Sequence, residues 1–266
     1  MYIRILTAVP LILLVLLAIF YTSPTWFALI SALIFLYGAL EWGKLLGFSK
    51  KQQLLYLLLT VIAFFLSGFI NALFLLAPSA IIWLFIPGLL FRFQQHPQAH
   101  WQHPYLHAAV GSFFLLTAWL GLNLLRLGAL GPFFVLINLV VVWASDSCAY
   151  FVGRRWGKHP LAPGISPKKT IEGLVGALLA SLSVGIVSGF LLKLSPTMLL
   201  ALSFLSLLTG GICVVGDLYE SMIKRIYKVK DSGTLLPGHG GLLDRIDGLL
   251  AATPFFTLGI IWLTLL

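Results

Sequence analysis

Between Lys230 and Leu250 the chain reads KDSGTLLPGHGGLLDRIDGLL, with three carboxylates, two basic residues, a histidine and five glycines set between apolar runs. Asp244 and Asp247 are three residues apart, which on a helix places both carboxylates on one face about a turn from each other. Two such oxygens suit Mg²⁺, a hard cation that takes one or two protein carboxylates and leaves its other positions to water and substrate phosphates. The glycines of PGHGG, among them Gly240 and Gly241, allow a backbone N–H to approach an anion closely. Lys224, Arg225, Lys228 and Lys230 bring positive charge suited to a polyphosphate. Asp217, directly after Gly216, adds a third carboxylate at a neighbouring helix end. Three converging carboxylates with basic residues and a glycine-rich turn read as a metal-assisted phosphate site. The same residues also suit a salt-bridged helix cap and a row of interfacial anchors.

A second constellation is SDSCAYFVGRRWGKHPLAPGISPKKTIEG, Ser145 to Gly173. Ser166 before Pro167 predicts a capped helix start. With Lys168 and Lys169 beside it, such a start would seat an anion. Thr170 and Glu172 belong to the same stretch. Asp146 suits a metal ligand and a counter-ion for a lysine equally. His96, His100, His103 and His107, spaced 4, 3 and 4, would align on a helix and suggest zinc. Pro97 and Pro104 interrupt that helix, and no Cys or acid lies near, so a wet interfacial loop is the expectation.

These residues need elements to position them, and the composition says which. With 60% hydrophobic and 9% charged residues and a mean hydropathy of +1.02, the chain reads as a polytopic membrane protein. Helices are expected throughout, since a lipid-exposed backbone must satisfy its own hydrogen bonds. The fold class is therefore all-α, a transmembrane bundle of about nine spans near 4–21, 25–41, 54–70, 72–91, 106–122, 131–152, 171–192, 198–218 and 248–266. Residues 1–266 form a single membrane domain, 1–130 reading as scaffold and lipid-facing wall and 131–266 as the catalytic half. The first span reads as uncleaved, and Cys148 and Cys213 as buried free thiols.

Under this alternation all of the 17 Lys and Arg except Arg126 and Lys193 fall on one face. The positive-inside rule makes that face cytoplasmic, with the N-terminus in and the C-terminus out. The net charge of +9 is thus a topology signal that needs no nucleic acid. Seven of the eight acids lie in the last half, while Glu41 ends the second span. Acids grouped at one membrane depth require partners, a wet cavity or a metal.

The run from Ser221 to Asp247 resembles the signature of the phosphatidate cytidylyltransferase family, the CDP-diacylglycerol synthases. The matching residues are Ser221, Lys224-Arg225, Lys230-Asp231, Gly233, Leu236-Pro237, His239-Gly240-Gly241, Asp244-Arg245 and Asp247. The stretch from Asp146 to Gly173 is also similar, so the detailed match covers roughly the last 120 residues. The resemblance implies an integral membrane enzyme, in a bacterial inner membrane with its site facing the cytoplasm. Its substrates would be CTP and phosphatidic acid, its products CDP-diacylglycerol and pyrophosphate. Mg²⁺, with room for a second cation, would be held by Asp217, Asp244 and Asp247, with Asp146 as a fourth ligand. Lys224, Arg225, Arg245 and His239 would join the catalytic set, His239 first as a phosphate contact. Ser166, Lys168, Lys169, Thr170, Glu172, Lys230, Gly240 and Gly241 would bind substrate. Membrane lipids are expected neighbours, and a homodimer is in keeping with the resemblance. Two rivals remain at this point. A secondary transporter would place its acids near the midplane of repeated halves, and a CDP-alcohol phosphotransferase would carry Asp-Gly-x-x-Ala-Arg, of which DGLLAA at 247–252 lacks the arginine.

Overall fold

A computed structural model describes residues 2–97, 100–235 and 240–263; Leu236 to His239, including the expected site residue His239, lie outside it. The described residues form nine helices: α1 Tyr2–Tyr21, α2 Pro24–Leu45, α3 Lys50–Ser67, α4 Leu73–Gln95, α5 Pro104–Arg126, α6 Gly131–Trp156, α7 Ile171–Leu191, α8 Pro196–Ile226 and α9 Leu243–Trp262. Six of them, α2 and α4 to α8, are long and apolar enough to cross a membrane. The chain is an integral membrane protein. Helices α3 and α9 open on Lys-Lys-Gln-Gln and Leu-Asp-Arg-Ile-Asp, which lowers their hydropathy.

Paired side chains fix the direction of each helix. Gln52, Tyr56 and Thr60 of α3 meet Tyr105, the Ala108 carbonyl and Ser112 of α5, so these helices run parallel. Ser79 meets Thr117 while Trp83 stacks on Phe114, so α4 runs against α5. The break between α3 and α4 is therefore a true reversal, although only a few polar residues mark it.

Helices α6 to α9 pack in sequence. Along α7 the buried residues Gly173, Ala177, Ser181, Gly185 and Gly189 recur every fourth position. Small side chains in one stripe let membrane helices approach closely, where dispersion and not water exclusion drives association. Both cysteines are free, Cys213 being buried and Cys148 partly so.

Two details depart from the all-helical reading. The stretch expected to start a helix at Ser166 is instead a strand, β2 Ser166–Thr170, paired antiparallel with β1 Pro160–Ala162. Helix α7 starts later, with Thr170 as its cap, whose hydroxyl accepts from the Gly173 N–H at 3.1 Å. Pro167 has a fixed φ that suits an edge strand as well as a first helical turn, and it needs no ladder partner for a missing N–H. Helix α8 also outruns its expected end at 218. At 31 residues it is roughly 46 Å long, well beyond a 30 Å hydrocarbon core. Its extra turns persist because Leu218, Tyr219, Met222, Ile223 and Ile226 continue a buried face.

Candidate functional site

One end of the bundle gathers most of the polar chemistry. The C-terminal ends of α2 and α8 meet the N-terminal ends of α5 and α9 there. Trp42 Nε1 donates to the His107 carbonyl at 3.0 Å, and the Leu243 N–H donates to Glu41 Oε2 at 2.7 Å. The β-hairpin joins them, since Arg225 Nε donates to the Ile165 carbonyl at 3.0 Å. At the opposite end, Arg126 donates to the Thr22 carbonyl.

Asp146 of α6, Asp217 of α8 and Asp247 of α9 lie close enough that their charges act on one another. Lys169, carried on β2, reaches Asp217 Oδ2 at 2.5 Å and also offsets Asp146 and Asp247. Asp146 is exposed, Asp217 keeps 32% of its side-chain surface, and Asp247 is buried. The three thus grade from exposed to buried where α6, α8 and α9 meet, and the crevice between these helices is acidic. Close helix contact makes this possible. A methyl group on Gly216 would stand 2.6 Å from the Asp247 carbonyl and 2.9 Å from the Ala251 side chain. Gly216→Leu is expected to wedge α8 from α9, part Asp217 from Asp247 and reduce activity at least about tenfold; wild-type activity in a membrane assay would contradict this.

Asp244 does something different. Its Oδ1 takes Lys224 Nζ at 2.7 Å, and its Oδ2 takes the N–H groups of Ser232 and Gly241 at 3.1 and 2.8 Å. Both oxygens are engaged, and they hold Ser232 and Gly241 of the loop between α8 and α9 together. Lys224 also pairs with Glu220 Oε2 at 2.5 Å, one turn back on α8. Gly240 takes φ +83°, a left-handed conformation in which a side chain would press on Asp244 Oδ2.

Glu41, which sequence reasoning left without a role, supplies the second fastening. It is 1% exposed, and its Oε2 accepts from Leu243 N–H and, at 3.4 Å, from the Ser232 hydroxyl. It therefore caps α9 where Leu242, the residue at the cap position, has no side chain able to do so. Gly233 and Gly241 pack directly on its carboxylate. The signal in the sequence was a lone acid closing an apolar span. Glu41→Ala is expected to leave the Leu243 N–H unpaired, destabilise the fold by about 1–3 kcal/mol and loosen the loop. Glu41→Gln keeps an acceptor and should retain most activity; equal activity of Glu41→Ala and wild type would dismiss the role.

The other expected site residues fall into two groups. Arg245 acts on Asp146 and faces the crevice. Lys168, Lys230 and Arg225 are exposed. Ser166 and Thr170 are partly buried in the hairpin, Thr170 as a helix cap. Glu172 accepts from the N–H groups of Lys158 and His159 and pairs with His159 Nδ1 at 2.6 Å.

Five carboxylates, Asp146, Asp217, Glu220, Asp244 and Asp247, thus share charge with Lys169, Lys224 and Arg245. With all eight groups ionised the cluster is two negative charges in excess. The buried Glu220 Oε1 has no hydrogen-bond partner among the described residues. Surplus negative charge in a low-dielectric setting is costly unless a cation offsets it. Hard oxygen donors of this kind suit a divalent ion such as Mg²⁺. Among the described residues no three His, Cys, Asp or Glu side chains stand close enough together to hold a metal ion by themselves.

The sequence profile of the cytidylyltransferase family matches residues 2–262. The phosphatidate cytidylyltransferase of Pseudomonas aeruginosa is 36% identical over 264 residues, 97% of this chain and 96% of that protein. The protein of the same name from Haemophilus influenzae is 35% identical over 282 residues, 96% of each chain. That of Bacillus subtilis is 43% identical over 125 residues, 47% of this chain and 46% of its own.

Proposed function

Since this chain belongs to the cytidylyltransferase family, we propose that it transfers a cytidylyl group from CTP to phosphatidic acid, forming CDP-diacylglycerol and pyrophosphate. Relatives bearing the name phosphatidate cytidylyltransferase along nearly their whole length support this reading. The observation that carries it in the molecule is the acid-rich crevice at one end of a membrane bundle, bordered by Lys169 and Arg245. There a water-borne triphosphate and a bilayer-borne phosphate can meet.

An oxygen of the lipid phosphate attacks the α-phosphorus of CTP in line. The bond to the bridging oxygen breaks, and pyrophosphate departs with that electron pair. A phosphate monoester is already largely dianionic near neutral pH, so no strong base is required. The protein's task is to position two anions and offset their repulsion. Lys169 and Arg245 contact the approaching phosphates, and Lys168 and Lys230 draw CTP to the mouth. Asp146, Asp217 and Asp247 would hold Mg²⁺, with Asp244 joining only by exchanging Lys224. A bound divalent ion supplies Lewis acidity and charge neutralisation to the triphosphate. Glu41 and Asp244 keep the loop in place beside it.

The nine helices would all cross the bilayer, with the crevice, the N-terminus and most basic residues at the cytoplasmic face of a bacterial inner membrane. The test is purified protein in detergent with labelled CTP, phosphatidic acid and Mg²⁺. A CDP-lipid and pyrophosphate in equal amounts are expected. Absence of both, or substrate flux through reconstituted vesicles without CTP, would overturn the reading in favour of transport.

A further inference from the structure

On the far side of α8 from the acids lies a second cleft of about 940 Å³, between the C-terminal end of α4 and the N-terminal end of α5. On a helix of 100° per residue, Tyr219 is turned by about 200° from Asp217, and Met222 likewise from Lys224. Tyr219 and Met222 form part of the cleft's wall, so one helix separates two sites. Tyr219 is fixed there by Trp42, stacked at 6.3 Å, and by the edge-on rings of Trp83 and Phe114. The rim is tied to α8 as well: His107 Nδ1 meets the Tyr227 hydroxyl at 2.9 Å, and Gln102 Nε2 donates to the Ile226 carbonyl at 3.1 Å.

The lining is divided by chemistry. Ile82, Ile86, Leu89 and Val110 make an apolar wall, while Arg92, His96, His100 and His103 stand toward the mouth. Among the described residues no acid lines the cleft, and Arg92 is exposed with no carboxylate partner. The cleft opens at the end of the bundle where the basic loops lie. A soluble anion would leave the apolar wall uncovered, and a zwitterionic headgroup brings its own cation to compete with Arg92. A phosphodiester lipid with net negative charge satisfies both halves, its chain on the wall and its phosphate against the guanidinium and histidine donors. Cavities of this size are ample for one chain and a headgroup.

We propose that this cleft seats a non-reacting anionic phospholipid, separate from the crevice where chemistry is expected. The proposal does not depend on the catalytic reading. Full-length protein, purified in a mild detergent, is titrated with dioleoyl phosphatidylglycerol or dioleoyl phosphatidylcholine, and retained lipid is counted by native mass spectrometry. The wild type should hold the phosphatidylglycerol about tenfold more tightly than phosphatidylcholine. Arg92→Glu should remove that preference, Arg92→Gln should reduce it, and Asp217→Asn should leave it intact. Arg92→Glu binding as tightly as wild type would overturn the proposal. So would loss of binding in Asp217→Asn, because the lipid counted would then sit in the crevice. Arg92 is exposed, so its variants are expected to fold, and an unchanged melting midpoint checks this.

Discussion

Asp217→Asn lowers cytidylyl transfer by about a hundredfold to a thousandfold, the range seen when one electrostatic element of a preorganised centre is removed. The protein stays folded, for two reasons. The side chain is about a third exposed, so its pair with Lys169 contributes little once solvent screening is counted. Asn keeps the shape, and Lys169 still faces Asp146 and Asp247. The loss should therefore fall on kcat and on the Mg²⁺ concentration needed, with the melting midpoint in detergent moved by no more than a few degrees. Retained turnover at saturating Mg²⁺ would remove Asp217 from the reacting centre.

Lys224→Met is expected to act through the fold. The ammonium lies between Glu220 and Asp244, at 2.5 and 2.7 Å, and the three side chains are 13%, 2% and 10% exposed. Removing the shared cation leaves two enclosed carboxylates facing each other across α8 and α9. Breaking such a group by deleting one partner costs about 3–5 kcal/mol. The loop also loses its anchor, since the Asp244 oxygen freed from Lys224 repels Glu220. Activity and stability should fall together. Adding Glu220→Gln to Lys224→Met relieves the repulsion and should recover a substantial part of the stability but little of the activity. A single Lys224→Met variant as stable as wild type would show that the triad is not a structural clamp.

The bundle was largely legible in the sequence, because each helix follows an uninterrupted apolar run and polar punctuation marks the reversals. Helix α8 was read two turns short for an equally physical reason. Beyond Asp217 its apolar residues occupy one face only, and hydropathy averages that face with Glu220, Lys224 and Arg225. Ser166-Pro167 misled in another way. The pair favours a helix start, but it suits an edge strand as well, and the hairpin partner Pro160–Ala162 decides between them. Type and spacing singled out Asp146, Asp217, Asp244 and Asp247, and their charges do act on a common cluster. Their division of labour was not legible, since nothing in Asp-Arg-x-Asp says that the first carboxylate holds backbone N–H groups while the second lines the crevice. Glu41 was seen as the acid ending the second span but given no role, because its partner is 202 residues away in the chain.

That separation has a bearing on biogenesis. Ribosomal synthesis delivers α2 to the membrane early and α9 last, yet the glycine-rich loop is fastened only when Glu41 meets the first turn of α9 and Asp244 arrives on that same turn. Non-local contacts of this kind form late, after their loop-closure entropy has been met. A chain halted before α9 would already hold most of its greasy framework and neither of these fastenings. Closure of the loop thereby waits on the arrival of α9.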